Sequence, residues 1–428
     1  MPPPGSWTRL ALSRIKGAAP GHAGVAVEVK GTHIGDPPPD SDPISPVGFQ
    51  RVEEGDLVVI GSISRSRPGA DALLSELHEL AGGHSVRFVG DRRPASLPEA
   101  VTFERREQAP KLIASLRRAW GVFLHPALHS RPSEEAALIL NLARAGVPMW
   151  GTVSDAVQEF IPSKLVRHID GASLDDVTDP DARERLSVHL RRSAWAGEYP
   201  TPQVSVVVAT NRPDFVDHAL AQLERLDYPN LQVVLAAHGF SIDQGDTVAG
   251  VDDVVEVPPA APFGDALSEG FARATGDLIA KMDDDDWYAP EHVSDLVCAM
   301  HYSGAPLVAK GAEFVYLAQL DITIRRMASG SETYGNRNVA GGTFLMRREL
   351  YDDIGGWRSL SRHVDQALLD DVERNGQTWY RTHGYGYILH RRRHGHTWDA
   401  AVDYFLDSST SQARGLDLAG ALVLGAGA

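Results

Sequence analysis

The sequence predicts an α/β protein of two domains: a Rossmann-like N-terminal domain, then a second α/β domain built around an acidic loop. Three observations predict it. The chain has 428 residues, more than one ordinary core accommodates. Short apolar runs alternate with segments of helical spacing, once from Asp56 and again from Val204, the pattern of parallel sheets. The second series leads through Leu278-Ile279-Ala280 into four consecutive carboxylates, Asp283-Asp284-Asp285-Asp286.

Residues 1–50 are rich in Pro and Gly, including Pro37-Pro38-Pro39, and are expected to be irregular apart from a strand at Val25 to Val29. The Rossmann-like domain is expected over 51–165. Its strands are Leu57 to Ile60, Val86 to Val89, Val122 to Leu124 and Val147 to Trp150. Between them Leu73, Leu74, Leu77 and Leu80 recur at helical spacing, Ile113, Leu116 and Trp120 suggest another helix, and Glu134 to Arg144 a third. No Gly-rich phosphate fingerprint follows the first strand, which argues against a dinucleotide. Residues 166–201 read as a linker, with a charged helix inside it from Ala182 to Arg192. The second domain is expected over 202–400. It opens on Val204 to Ala209, apolar enough to be a buried strand. A helix follows with Val216, Ala219, Leu220 and Leu223 on one face, then strands at Leu231 to Ala236 and Val254 to Val257. Leu267, Gly270, Phe271 and Ala274 form another helical face before the strand that enters the Asp run. Beyond Pro290, Val293, Leu296, Val297 and Met300 mark an amphipathic helix. Residues 401–428 read as a C-terminal tail.

The totals narrow the function. A net charge of −16 argues against a general nucleic-acid binder, which needs a basic face. Cys298 is the only cysteine, so neither an intrachain disulfide nor a cysteine-based zinc cluster forms, as suits a reducing cytoplasm. The start lacks the apolar core of a signal peptide, and no stretch reaches the ~20 apolar residues of a transmembrane segment. The expected location is the cytoplasm, with the membrane periphery as the alternative.

The Asp run is the chemical centre. Read as an extended chain, it sets Asp283 and Asp285 on one side and Asp284 and Asp286 on the other. Carboxylates packed this closely call for a cation. A hard divalent ion such as Mn²⁺ or Mg²⁺ accepts one or two carboxylates and fills its remaining positions with phosphate oxygens and water, which points to a metal–diphosphate site.

Several motifs in order carry a family resemblance. They are Val204 to Arg212, Tyr228-Pro229-Asn230, Gly276-Asp277 before a strand, the Asp run, and Gly341-Gly342-Thr343-Phe344-Leu345-Met346-Arg347-Arg348. The stretch from Val204 to about Asp399 resembles the GT-A fold glycosyltransferases of inverting family 2. The four-Asp motif and His396-Thr397-Trp398 are similar to a bacterial subgroup. In the first domain, Gly121 to Gly151 loosely resembles the nucleotide-binding half of GT-B glycosyltransferases, through Leu124-His125-Pro126, Glu134-Glu135 and Ala145-Gly146-Val147-Pro148. Asn141 falls where that family's second glutamate is expected, so a structural, non-catalytic role is expected there.

The resemblance implies a transferase moving a sugar from a nucleotide diphosphate donor to a hydroxyl acceptor, with Mn²⁺ or Mg²⁺. It implies nucleotide-sugar binding by Thr210, Asn211, Arg212, Asp283, Asp284 and Gly342, with the metal on Asp285 and His396. Asp365, in His363-Val364-Asp365-Gln366, matches the catalytic base, with Asp370 and Asp371 as weaker candidates. Arg391-Arg392-Arg393 is a candidate phosphate partner, His394 shares a face with His396, and Trp398 is a candidate sugar platform. His238 stands where the family carries an acidic residue against the nucleotide base, which leaves a guanosine or thymidine donor beside the default uridine one. The acceptor class stays open among a cell-envelope glycan, a lipid-linked intermediate and a small metabolite. A retaining transferase of the same fold and a non-catalytic sugar-nucleotide or glycan-binding scaffold are the alternative readings.

Overall fold

The computed structural model describes residues 48–52, 54–61, 69–105, 109–128, 131–195, 201–242, 250–326, 332–392 and 402–421. The strand expected at Val25 to Val29 lies outside them. The chain divides into two compact units, with the division between Pro200 and Thr201.

The first unit is a parallel sheet of β1 (Leu57–Ile60), β2 (Val86–Gly90), β3 (Thr102–Arg105), β4 (Gly121–Leu124) and β5 (Met149–Gly151), in the order β3-β2-β1-β4-β5. Helices α1 (Ala70–Gly83), α2 (Ala109–Leu116) and α3 (Pro132–Arg144) make the crossovers. The β1 side chains Leu57, Val58, Val59 and Ile60 are all buried, as a central parallel strand requires. β3 escaped the sequence reading. Its Thr102-Phe103-Glu104-Arg105 is partly exposed, because it is an edge strand without a continuous apolar run.

The stretch read as a linker is not one. After the short α4 (Asp155–Gln158) come α5 (Ser163–Asp170), α6 (Leu174–Thr178) and α7 (Pro180–Trp195). Leu165, Val166, Ile169, Val177, Leu186, Leu190 and Ala194 join the core of the first unit. Dense charge hid this, since α7 buries polar residues too: Glu184 is 2% exposed and receives Arg51 at 2.7 Å. Ser173 caps α6 reciprocally with Asp176.

The second unit holds two sheets. The larger has the order β14-β16-β11-β15-β9-β6-β7-β8. Its strands are β6 (Val204–Thr210), β7 (Leu231–His238), β8 (Asp253–Val257), β9 (Leu278–Met282), β11 (Leu307–Lys310), β14 (Thr333–Tyr334), β15 (Leu345–Arg347) and β16 (Trp379–Thr382). β8, β7, β6 and β9 are parallel, and β15 is antiparallel to both β9 and β11. Helices α8 (Val216–Glu224) and α9 (Phe263–Arg273) link the parallel strands. The smaller sheet has the order β10-β17-β12-β13-β18, from β10 (Trp287–Tyr288), β12 (Phe314–Leu317), β13 (Ile322–Arg326), β17 (Tyr387–Arg391) and β18 (Ser409–Arg414). The segment read as a tail thus supplies a strand. α13 (Val402–Leu406) also packs there, with Phe405 in a cluster with Val315, Leu317 and Ile324.

The remaining helices are α10 (His292–Ser303), α11 (Arg348–Asp353) and α12 (Val364–Arg374). α10, expected to be amphipathic, is buried on nearly every side. Its Asp295 meets Lys310 at 2.7 Å in the interior, so a polar position there does not mean an exposed face.

Candidate active site

β6 is the switch point of the larger sheet. The chain leaves it to build β7 and β8 on one side, then returns through α9 to place β9 on the other. Val208 of β6 pairs in register with Met282 of β9, so the residues after both strands emerge side by side. Open α/β sheets bind ligands at the carboxyl ends of such strands. Thr210-Asn211-Arg212 and the Asp run therefore meet at this edge.

The four acids do not alternate. β9 ends at Met282 and the chain turns until β10 begins at Trp287, so extended geometry does not apply. Asp284 and Asp285, expected on opposite sides, both reach Arg212. The Asp284 carboxylate accepts from Arg212 Nε at 2.9 Å, from Arg212 Nη2 and from the Thr210 hydroxyl. Asp285 Oδ2 accepts from Arg212 Nη1 at 2.9 Å and Arg392 Nη2 at 3.0 Å. Both guanidinium groups lie over the Phe215 ring, at 4.9 Å for Arg212 and 4.3 Å for Arg392. Burial pushes the Asp285 carboxyl up to about 7, against the pull of Arg212 and with the charges of Asp284 and Asp283 adding to the push. Asp286 is fully buried. It accepts from the Tyr387 hydroxyl at 2.6 Å and the His390 N–H at 2.8 Å, which ties the acidic loop to β17. Burial, then the neighbouring Asp285 and Asp283 charges, raise its carboxyl well above the ordinary range.

Asp283 belongs to a different group. Its Oδ1 accepts from Lys281 Nζ at 2.8 Å, and its backbone N–H donates to the Tyr288 hydroxyl at 2.9 Å. That hydroxyl donates to the Gly342 carbonyl at 3.0 Å. Asp365 stands in the first turn of α12, behind His363, which caps the helix in a left-handed conformation (φ 61°). Asp365 Oδ1 is buried and lies 3.2 Å from Lys281 Nζ, while the side chain as a whole stays 33% exposed. Burial raises the Asp365 carboxyl, opposed by Lys281 and assisted by Asp283. Gly341 and Gly342 form a 3-10 turn against both acids. A Cβ on Gly341 would collide with the Asp365 carboxylate, and one on Gly342 would come within 2.7 Å of Asp283 Oδ2.

Of the other candidates, Asn211 is exposed just past β6. His238 ends β7 and is 9% exposed, with Nε2 donating to the Ala261 carbonyl at 2.9 Å. Asp370 and Asp371 pair instead with Arg337 at 2.7 Å and Arg358 at 2.5 Å on the surface of α12. His394, His396, Trp398 and Arg393 lie outside the described residues. Lys281, Tyr288 and Asp286 had no assigned role, since nothing in a strand-to-turn pattern signals an interior ammonium.

Among the described residues no group of three or more His, Cys, Asp or Glu side chains is placed to hold a metal by itself. The donor set suits a different mode. Asp285 offers hard carboxylate oxygen beside Asp284, with two guanidinium groups within 3.0 Å of it. A divalent ion with one or two protein carboxylates and phosphate oxygens fits that arrangement.

Residues 205–355 match the family "Glycosyl transferase family 2". Two solved structures are similar. One is the mannosyltransferase PcManGT from Pyrobaculum calidifontis, in complex with GDP-Man and Mn²⁺, at 17% identity and TM-score 0.36 over 46% of this chain and 59% of that one. The other is S. aureus TarS 1-349 in complex with UDP-GlcNAc, at 17% identity and TM-score 0.37 over 47% and 62%. The chain thus spans less than two thirds of either structure's own length. No curated protein matches. Among the described residues no helix is long and apolar enough to cross a membrane.

Proposed function

We propose that this chain, whose residues 205–355 match glycosyltransferase family 2, is a GT-A transferase that moves a hexose from a nucleoside-diphosphate donor to a hydroxyl acceptor with inversion. The observation that carries the reading is the meeting of Arg212, Asp283, Asp285 and Asp365 at the ends of β6 and β9, inside or beside the matched segment.

Thr210, Asn211 and Arg212 hold the nucleotide in this reading, with Asp284 fixing Thr210 and Arg212 in place. Asp283 and Gly342 face the donor sugar and ribose. Arg212 and Arg392 lie close enough to Asp285 to take diphosphate oxygens beside it. Mn²⁺ or Mg²⁺ on Asp285, with His396 as a further ligand, would supply Lewis-acid stabilisation of the leaving diphosphate. Asp365 takes the acceptor hydroxyl proton as the new oxygen–C1 bond forms. The C1–oxygen bond to the diphosphate breaks on the opposite face, and the nucleoside diphosphate leaves with the electron pair. A uridine donor remains the default. His238 is the residue to vary for base choice, and the cytoplasm is the expected location.

Binding of UDP, GDP and TDP, each with and without Mn²⁺, to wild type and Asp285→Ala tests the reading. One nucleotide should bind in a manner that needs both metal and Asp285. Metal-independent or absent binding across the set removes the transferase reading and leaves a scaffold.

A further inference from the structure

We infer that Lys281 is a positioning residue, holding Asp283 and Asp365 on one shared ammonium so that the donor site and the base are set relative to each other. The inference rests on the transferase reading above and adds the residue that organises its two halves.

Lys281 lies inside the larger sheet, between β6 and β15, and its backbone N–H donates to the Phe344 carbonyl at 2.9 Å. Its side chain is 2% exposed. Its strand neighbours Ile279, Ala280 and Met282 are buried and apolar, so an aliphatic side chain would serve the sheet equally well. Burying an ammonium is costly unless it is paired and hydrogen-bonded. Here Nζ has two carboxylate partners, Asp283 at 2.8 Å and Asp365 at 3.2 Å, from separate elements. An ammonium is a compact charge with three donors, so it can serve both at once.

Two carboxylates on one cation leave a net negative charge. Without Lys281 the two carboxylates would repel, and Asp365 would lose the partner that holds it beside Asp283. A protonated Asp365 cannot accept the acceptor hydroxyl proton. Lys281 thus opposes protonation of the base and holds it in place, and Gly341 and Gly342 pack against the same two carboxylates. Burial works against the Lys281 charge, yet Asp283 and Asp365 together hold its pKa above the ordinary lysine value, so the cation persists. Lys310 provides a contrast. It too is a buried lysine, but its carboxylate partner, Asp295, sits on α10 rather than in the acidic loop or α12.

Donor hydrolysis tests this without a known acceptor. Asp365 takes a proton from water, the water oxygen bonds to C1, the C1–diphosphate bond breaks, and free sugar and nucleoside diphosphate result. The full-length protein with Mn²⁺ is assayed on a panel of UDP- and GDP-hexoses. Lys281→Met should lower kcat by about 100-fold or more, with donor KM moving less than about tenfold. Lys281→Met/Asp365→Asn should be no slower than Asp365→Asn alone, since Lys281 acts through Asp365. A purely structural lysine would instead give additive losses, or leave the kcat of the folded fraction unchanged, and either result overturns the inference. Should Lys281→Met fail to fold, the double variant, relieved of the repulsion, is expected to fold, and its failure also overturns the inference. A wild type that turns over donors beside an equally fast Lys281→Met removes this inference alone. A wild type that hydrolyses nothing in the panel and binds no nucleotide removes the transferase reading as well.

Discussion

Gly341 and Gly342 leave the two acids almost no room, and that makes them separable probes of the site. In Gly341→Ala the new methyl group must push the Asp365 carboxylate aside. Misplacing a reacting group by about 1 Å can cost about 100-fold in rate. Donor turnover by Gly341→Ala should fall by about that much, while the Kd of the bound nucleoside diphosphate, measured by calorimetry, changes less than about threefold. Gly342→Ala presses on Asp283 and the Tyr288 hydroxyl instead, so there the nucleotide Kd should rise. Equal effects of the two variants on both quantities would contradict the proposed separation of donor site and base. At this scale the sequence was informative about residue type. Acids after a buried strand and an acid opening a helix could be named as candidates in advance. Their partners could not, because Lys281, Tyr288 and Arg392 reach the acids through a turn and from separate strands.

Burial of α10 depends on the pair between Lys310 and Asp295. Lys310 Nζ also donates to the Tyr385 carbonyl at 2.6 Å, and the two side chains are 0% and 4% exposed. Removing one partner of such a pair costs about 3–5 kcal/mol, because it strands the other charge. Lys310→Met should therefore lower the urea midpoint of the second unit strongly, and adding Asp295→Leu should recover most of the loss. A Lys310→Met protein as stable as wild type would show that the pair carries no such energy. The helix itself was legible from Val293, Leu296, Val297 and Met300. Its full enclosure was not, since hydrophobic periodicity reports one apolar face and is silent about charges neutralised inside. The same limit explains α7, a charged helix in the stretch read as a linker, whose Arg183, Glu184 and Arg191 are in fact buried. It also explains β3, whose exposure as an edge strand blurs its pattern.

In the first unit, a buried histidine should make stability sensitive to acid. His168 on α5 and His189 on α7 stack at 5.0 Å. Burial, with His168 and then Arg192 adding to it, lowers the His189 pKa to about 4. The unfolded chain takes up a proton near pH 6.5 that the folded one refuses until about pH 4. Stability contributed by a neutral His189 is therefore present above about pH 6.5 and lost as the pH falls toward 4, by up to about 3 kcal/mol. Thermal melts between pH 7 and 4 should show this slope, and His189→Gln should flatten it. Two alternating α/β series were readable because their central parallel strands are apolar along their whole length. The small sheet was not, because β18 (Ser409–Arg414) is polar and takes its place only by pairing with β13. That late partner has a consequence for synthesis. On the ribosome β12 and β13 emerge long before β18, so the growing chain carries an open strand edge able to recruit β-segments of neighbouring nascent chains. Chaperone cover should matter most in that interval, and the emergence and pairing of β18 is what ends it.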